Sequence, residues 1–187
     1  MKILMGFIRN YALKEVKCMS KRITVNKEEL TKHLVDHITK DTAIVCVGTR
    51  KIFWDRLSPM VGTILKENNF PLEVVGTMKD NVHAINLEEK INAIDKSKKI
   101  IAIDSAVGEK CDVGTIKVGS VPLTPGAGVD KDLGVVGEYS ILGVTIEKSR
   151  TTFGNFREFG TKEEESMIKD MAFDIADALM EACKKFY

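Results

Sequence analysis

Two short, unbroken apolar runs constrain this chain more than any other feature. Ala43-Ile44-Val45-Cys46-Val47 stops at Gly48, and Ile100-Ile101-Ala102-Ile103 stops at Asp104. They are too short for buried helices and lack the alternation of a strand with one wet face. They read as strands covered on both sides, as in a parallel sheet. Around them the period changes. Leu30, Leu34, Val35 and Ile38 follow Asn26-Lys27-Glu28-Glu29, an N-cap side chain with a carboxylate three residues on, and predict a helix over 27–40. Met60, Val61, Ile64 and Leu65 predict another over 58–69, with Pro59 suited to its first turn. Asn86-Leu87-Glu88-Glu89 repeats the cap pattern ahead of Ile91 and Ile94 and predicts a helix to about residue 97. Residues 162–186 carry Ile168, Met171, Ile175 and Leu179 on one face, with Glu163, Glu164 and Glu165 at the end where the helix dipole favours acids. Further strands are expected within 72–77, 115–121 and 140–146. Strands alternating with helices predict an α/β fold around a mostly parallel central sheet.

A length of 187 residues suits one domain, expected over 23–187. Residues 1–22 carry no strong pattern and read as a tail or short helix. The apolar start is interrupted by Arg9, no small-residue cleavage site follows it, and no apolar run is long enough to span a bilayer. The expectation is a cytoplasmic protein. Lys and Arg total 28 against 27 for Asp and Glu, so no electrostatic case exists for nucleic acid or an anionic membrane as partner. Cys18, Cys46, Cys111 and Cys183 are scattered without a paired-cysteine motif, which argues against a zinc site, and Cys46 reads as a small buried hydrophobe. His33 and His37 stand four apart on the first helix, a metal-compatible spacing with no third ligand in sight, and read as solvated. No metal and no cofactor are expected. The phosphate-binding loop, the dinucleotide glycine motif and the hydrolase nucleophile elbow are all missing.

In open α/β sheets ligands gather outside the carboxyl ends of the strands, where chain directions diverge. The strand ending at Val47 runs through Gly48 and Thr49 to Phe53-Trp54-Asp55, and the strand ending at Ile103 presents Asp104. If the two strands are neighbours, Asp55 and Asp104 converge. Paired carboxylates do acid–base work because each ionisation depends on the other, so that one holds a proton while its partner acts as base on water. The loop Pro125-Gly126-Ala127-Gly128 is able to turn backbone amides towards a ligand carboxylate. Thr49, His83, Gly126 and Gly128 complete the candidate set as substrate-binding residues.

Four motifs in series carry a resemblance. Ile44 to Thr49 followed by Asp55-Arg56-Leu57-Ser58-Pro59-Met60-Val61-Gly62 resembles the opening motif of the YyaC-type sporulation family. Val75-Gly76-Thr77 with Asn81-Val82-His83-Ala84-Ile85-Asn86-Leu87 resembles its second. Ile101 to Gly108 resembles its third, and Pro125-Gly126-Ala127-Gly128-Val129 its fourth. That family is similar in fold to the germination protease of spores, an acidic-residue endopeptidase, and more distantly to the hydrogenase maturation endopeptidases, so the resemblance implies a three-layer, doubly wound, phosphorylase/hydrolase-like architecture with a mostly parallel sheet. The resemblance implies that Asp55 and Asp104 are catalytic and activate water for peptide hydrolysis without a covalent intermediate. It implies a peptide or small protein substrate, such as spore proteins, in the mother cell, forespore or spore interior, and leaves homo-oligomer formation open. The maturation enzymes hold nickel with a late histidine, and no histidine follows His83 here. Three departures stand out. Arg50 replaces an acid, Trp54 replaces the Gly before the motif Asp, and Leu57-Ser58-Pro59 replaces Leu-Gly-Pro. These motivate the alternative of a non-catalytic peptide-binding module that kept the cleft.

Overall fold

The structure is a computed structural model that describes residues 21–125, 134–151 and 160–186. Its elements are β1 Ile23–Val25, α1 Lys27–His37, β2 Thr42–Cys46, α2 Leu57–Glu67, β3 Glu73–Val75, α3 Leu87–Asn92, β4 Lys99–Gly108, β5 Ile116–Gly119, β6 Tyr139–Glu147, α4 Lys148–Thr151 and α5 Lys162–Cys183. Of the expected tail or short helix over 1–22, residues 1–20 lie outside the described residues.

Local chemistry starts α1 and α5 where the sequence indicates. Asn26 Oδ1 accepts from the Glu29 amide while Glu29 Oε2 accepts from the Asn26 amide, both at 2.9 Å, so two amides orphaned at the start of α1 are satisfied reciprocally. Thr161 and Glu164 do the same for α5. The third expected cap is not formed, and α3 ends at Asn92 rather than near residue 97. The Asn86 side chain accepts from the His83 amide at 2.8 Å and donates to the Asn81 carbonyl at 2.9 Å. The preceding loop has captured the cap side chain, a competition open to any short polar residue.

The six strands form one sheet in the order β1-β5-β6-β4-β2-β3. β2 pairs in parallel with β3 and β4, and β4 in parallel with β6, while β5 and β1 add antiparallel strands. β2 is buried at every position, Ile44 and Cys46 facing one core and Ala43 and Val45 the other. That is the double-sided burial its unbroken apolar run predicts. Helices α1, α2 and α5 cover the first face. On the second, α3 packs with Val82, Leu123 and Val136. At the β1 end of the sheet Arg22, 7% exposed, donates to Ser140 Oγ from Nε at 3.0 Å and from Nη2 at 2.6 Å. Burial of that charge is compensated by hydrogen bonds rather than left bare.

β4 corrects one expectation, since Asp104 does not end it. β2 stops opposite Ile103, but β6 goes on pairing with β4 as far as Gly108. A single polar side chain does not terminate a strand whose neighbour still supplies a ladder. Cys46 is the expected buried hydrophobe, and burial pushes its thiol up to about 12, out of reach of thiolate chemistry at neutral pH.

Two glycines set how closely α2 approaches the sheet. A Cβ on Gly62 would lie 1.9 Å from the Gly76 carbonyl oxygen. A Cβ on Gly76, at φ +101°, would lie 2.1 Å from the Cys46 carbonyl oxygen. Inside a helix Gly→Ala ordinarily gains about 1 kcal/mol. At Gly62 the overlap is with backbone, so the cost of forcing the helix off the sheet, about 1–3 kcal/mol or more, wins. Gly62→Ala is therefore expected to lower stability by about 2 kcal/mol in equilibrium denaturant unfolding; a gain in midpoint would contradict the close contact.

Candidate functional site

The chain leaves β2 towards β3 on one side through α2, whereas β4 leads to β5 and β6 on the other. Chain directions therefore diverge between β2 and β4, at their carboxyl ends, which is where an open α/β sheet offers a crevice. Three successive amides leave the end of β2, and each donates to a different segment. Val47 N donates to the Ile103 carbonyl at 2.8 Å, just before Asp104. Gly48 N donates to the Val82 carbonyl at 2.7 Å, just before His83. Thr49 N donates to Asp55 Oδ2 at 2.8 Å. Four of the six residues proposed from sequence thus sit on, or directly beside, groups tied to one strand end.

Asp55 is half-buried and closes the exit loop. The turn that carries it, Phe53–Asp55, packs against both β4 and β6. Gly48 has φ +151°, and a Cβ there would stand 2.5 Å from the Asp55 carbonyl oxygen, so the loop folds this tightly because position 48 has no side chain. The Thr49 hydroxyl accepts from the Lys51 amide at 3.2 Å and shapes the same bend.

Asp104 is the first residue of β4 beyond the end of β2. By strand alternation it shares a face with Ala102 and Ala106, in the core that holds Val47, Val82 and Leu142. It is half-buried, and its Oδ1 accepts from the Ser105 amide at 2.7 Å. His83 is half-buried as well, and its amide is held by Asn86. Gly126 and Gly128 lie outside the described residues. The base of their loop, the antiparallel bridge Leu123–Val136, packs into the same core as Val47 and Leu142.

The departures from the motif fall in instructive places. Trp54 is 3% exposed, in edge contact with Phe53 at 4.8 Å and with the Arg150 guanidinium 4.6 Å above its ring, so its bulk goes into the core. Arg56 lies 5.5 Å over the Phe53 ring and donates from Nε to the Arg50 carbonyl. His37 corrects the expectation of a solvated histidine. Nδ1 donates to the His33 carbonyl at 2.8 Å, Nε2 pairs with Ser120 Oγ at 3.0 Å, and the ring lies 4.2 Å from Tyr139. Both ring nitrogens of His37 are thus engaged in hydrogen bonds within the fold. Among the described residues no group of three His, Cys, Asp or Glu is placed to hold a metal ion, and no helix is long and apolar enough to cross a membrane.

Sequence reasoning did not find a set of buried hydroxyls near this strand end. Among the described residues Ser58 Oγ, Ser105 Oγ and Thr145 Oγ1 have no hydrogen-bond partner, and neither does Tyr139 Oη on β6. Ser105 follows Asp104. Ser58 lies in the first turn of α2, three residues past Asp55, where the resemblance expects Gly. Thr145 sits where the β4–β6 register shifts. Nothing in a lone Ser or Thr signals this, because the property belongs to its surroundings.

These features define a class: an α/β protein with helices on both faces of a mostly parallel sheet and two carboxylate-bearing segments at the point where its strands diverge. The chain belongs to the family described as "Protein of unknown function (DUF1256)", whose model matches residues 12–173. It is similar to the "Uncharacterized protein YyaC" of Bacillus subtilis (strain 168), at 43% identity over 109 residues, which make up 56% of this chain and 53% of that protein. The match thus spans about half the length of that curated relative.

An orphaned buried hydroxyl costs about 1–3 kcal/mol. Ser105→Ala and Ser58→Ala are therefore each expected to raise the unfolding free energy by about 1 kcal/mol in denaturant melts. A loss of that size would mean that the hydroxyl has a partner in solution.

Proposed function

We propose that this protein hydrolyses peptide bonds with Asp55 and Asp104 as an acidic pair. The reading is carried by one observation: the segments bearing the two carboxylates are tied to the same strand end at the divergence point, Asp55 through Thr49 N and Asp104 through its neighbour Ile103. One carboxylate takes a proton from water as the water oxygen attacks the peptide carbonyl carbon. The other, protonated, gives its proton to the leaving nitrogen as the C–N bond breaks, yielding a carboxylic acid and an amine. Thr49, His83, Gly126 and Gly128 position the peptide. The motif resemblance supports a spore-related setting and a fold of the germination-protease kind.

A second reading is favoured by a specific contact. Asp55 Oδ2 already accepts the Thr49 amide, which is the work of a loop-closing residue in a peptide-binding module without turnover. Asparagine separates the two, since its amide oxygen keeps the acceptor at each position while the charge is removed. Incubation with a peptide library, read by mass spectrometry, is expected to show cleavage by the native protein. Asp55→Asn and Asp104→Asn are each expected to lower it by about a hundredfold or more with the fold retained. Undiminished cleavage in either variant, or peptide binding without cleavage by the native protein, would overturn the hydrolase reading.

A further inference from the structure

On the helical side of the first core lies a groove of about 420 Å³ between α2 and α5. Its floor is apolar, formed by Phe53, Met60, Ile64, Met78 and Ile168, and Phe173 stands at its edge with 54% of its surface exposed. A surface rich in Met and Phe adapts to varied apolar side chains. Arg56, Met60 and Ile64 step by four residues along one wall, and Glu165, Lys169 and Phe173 step by four along the other. Each wall therefore runs two helical turns, about 12 Å. That length accepts side chains spaced i, i+3 or i+4, and i+7, the recognition pattern of an amphipathic helix laid in a groove.

The charges on the rim choose among such helices. Glu165 is ion-paired with Lys169 at 2.7 Å, and that bond first, with a smaller contribution from Arg56, holds its carboxyl below the usual range. Arg56 forms no salt bridge among the described residues; its Nε is committed to a backbone carbonyl while the guanidinium lies over Phe53. The rim therefore presents one more cation than anion, and its arginine is geometrically suited to a carboxylate.

We infer that this groove is a docking site for an amphipathic helix of another protein, with apolar residues entering between α2 and α5 and an acidic residue meeting Arg56. The proposal does not rest on the hydrolase reading. The groove has a structural route to the aspartate-bearing segments all the same. Phe53 and Arg56 flank Asp55 on one turn, and the Met78 amide, held by Thr63 Oγ1 at 2.9 Å, belongs to the loop that leads to His83.

The chain provides its own reporter. Trp54 is the sole tryptophan and touches Phe53, which lines the groove. Intrinsic fluorescence of the full chain is titrated with a synthetic helical peptide about three turns long, with leucines at i, i+3 and i+7 and one aspartate flanking them on the same face. A saturable spectral change is expected. Phe173→Asp, at an exposed position with an unchanged melting temperature, is expected to weaken binding by about tenfold or more, and Arg56→Gln by about fivefold. Exchanging the peptide aspartate for lysine is expected to match the Arg56→Gln loss, and Asp104→Asn to bind as the native chain does. The proposal is overturned by absence of saturation at millimolar peptide, or by affinity indifferent to Phe173→Asp. It is equally overturned if light scattering shows a dimer that Phe173→Asp dissociates, because the groove would then be occupied by a second copy.

Discussion

A strand that stops inside a sheet leaves its last amides without the ladder a longer strand would have given them, and each buried amide left unpaired costs about 1–3 kcal/mol. β2 stops at Cys46 while β4 continues beside it; Val47 N still joins the β4 ladder, and the demand then passes to Gly48 and Thr49. Each of the three amides is met by a different part of the chain: β4, the loop before α3, and the carboxylate of Asp55. The requirement to satisfy three consecutive amides therefore assembles the segments from the first three motifs around one point. Backbone hydrogen bonding comes first here, and it ties the segments that carry Asp55 and Asp104 to one strand end.

That assembly holds because glycine allows it. Position 48 lies against the backbone of Asp55, and positions 62 and 76 let α2 settle within a carbonyl's reach of β3 and β2. With α2 fixed so near, Pro59 and Leu57 reach the β2 exit and Gly143 of β6 respectively, and the Phe53–Asp55 turn is pressed onto β4 and β6. Two cores result, one under three helices and one under α3 and the loops, with the strand ends between them. The same tight seating of α2 leaves its outer side, facing α5, as the apolar groove.

Much of this was legible in the sequence where a local signal and a tertiary demand agree. The run 43–47 is apolar at every position and β2 is buried at every position; Asn26 supplies a cap oxygen to a helix whose apolar spacing already calls for it, and Glu163 to Glu165 stand in the first turn of α5. Legibility fails where a neighbour decides. The length of β4 depends on how far β6 runs beside it, and no feature of Asp104 announces that. Asn86 carries the same cap signal as Asn26, yet its side chain is taken by the loop before it. That β2 and β4 belong to one parallel sheet followed from their unbroken apolar runs. The burial of Trp54, the hydrogen bonds of His37 and the orphaned hydroxyls did not, since each is set by residues distant in the chain.

The most direct measurement of this account is residue-resolved native-state hydrogen exchange at Val47, Gly48 and Thr49. In the native chain all three amides are expected to be strongly protected. In Asp55→Ala, Thr49 alone of the three is expected to exchange about tenfold faster or more, in keeping with loss of a charge-assisted hydrogen bond worth about 1.5–3 kcal/mol. Native exchange of Thr49 at the rate of an unstructured loop, or protection indifferent to Asp55, would mean that the acidic side chain does not close the strand exit.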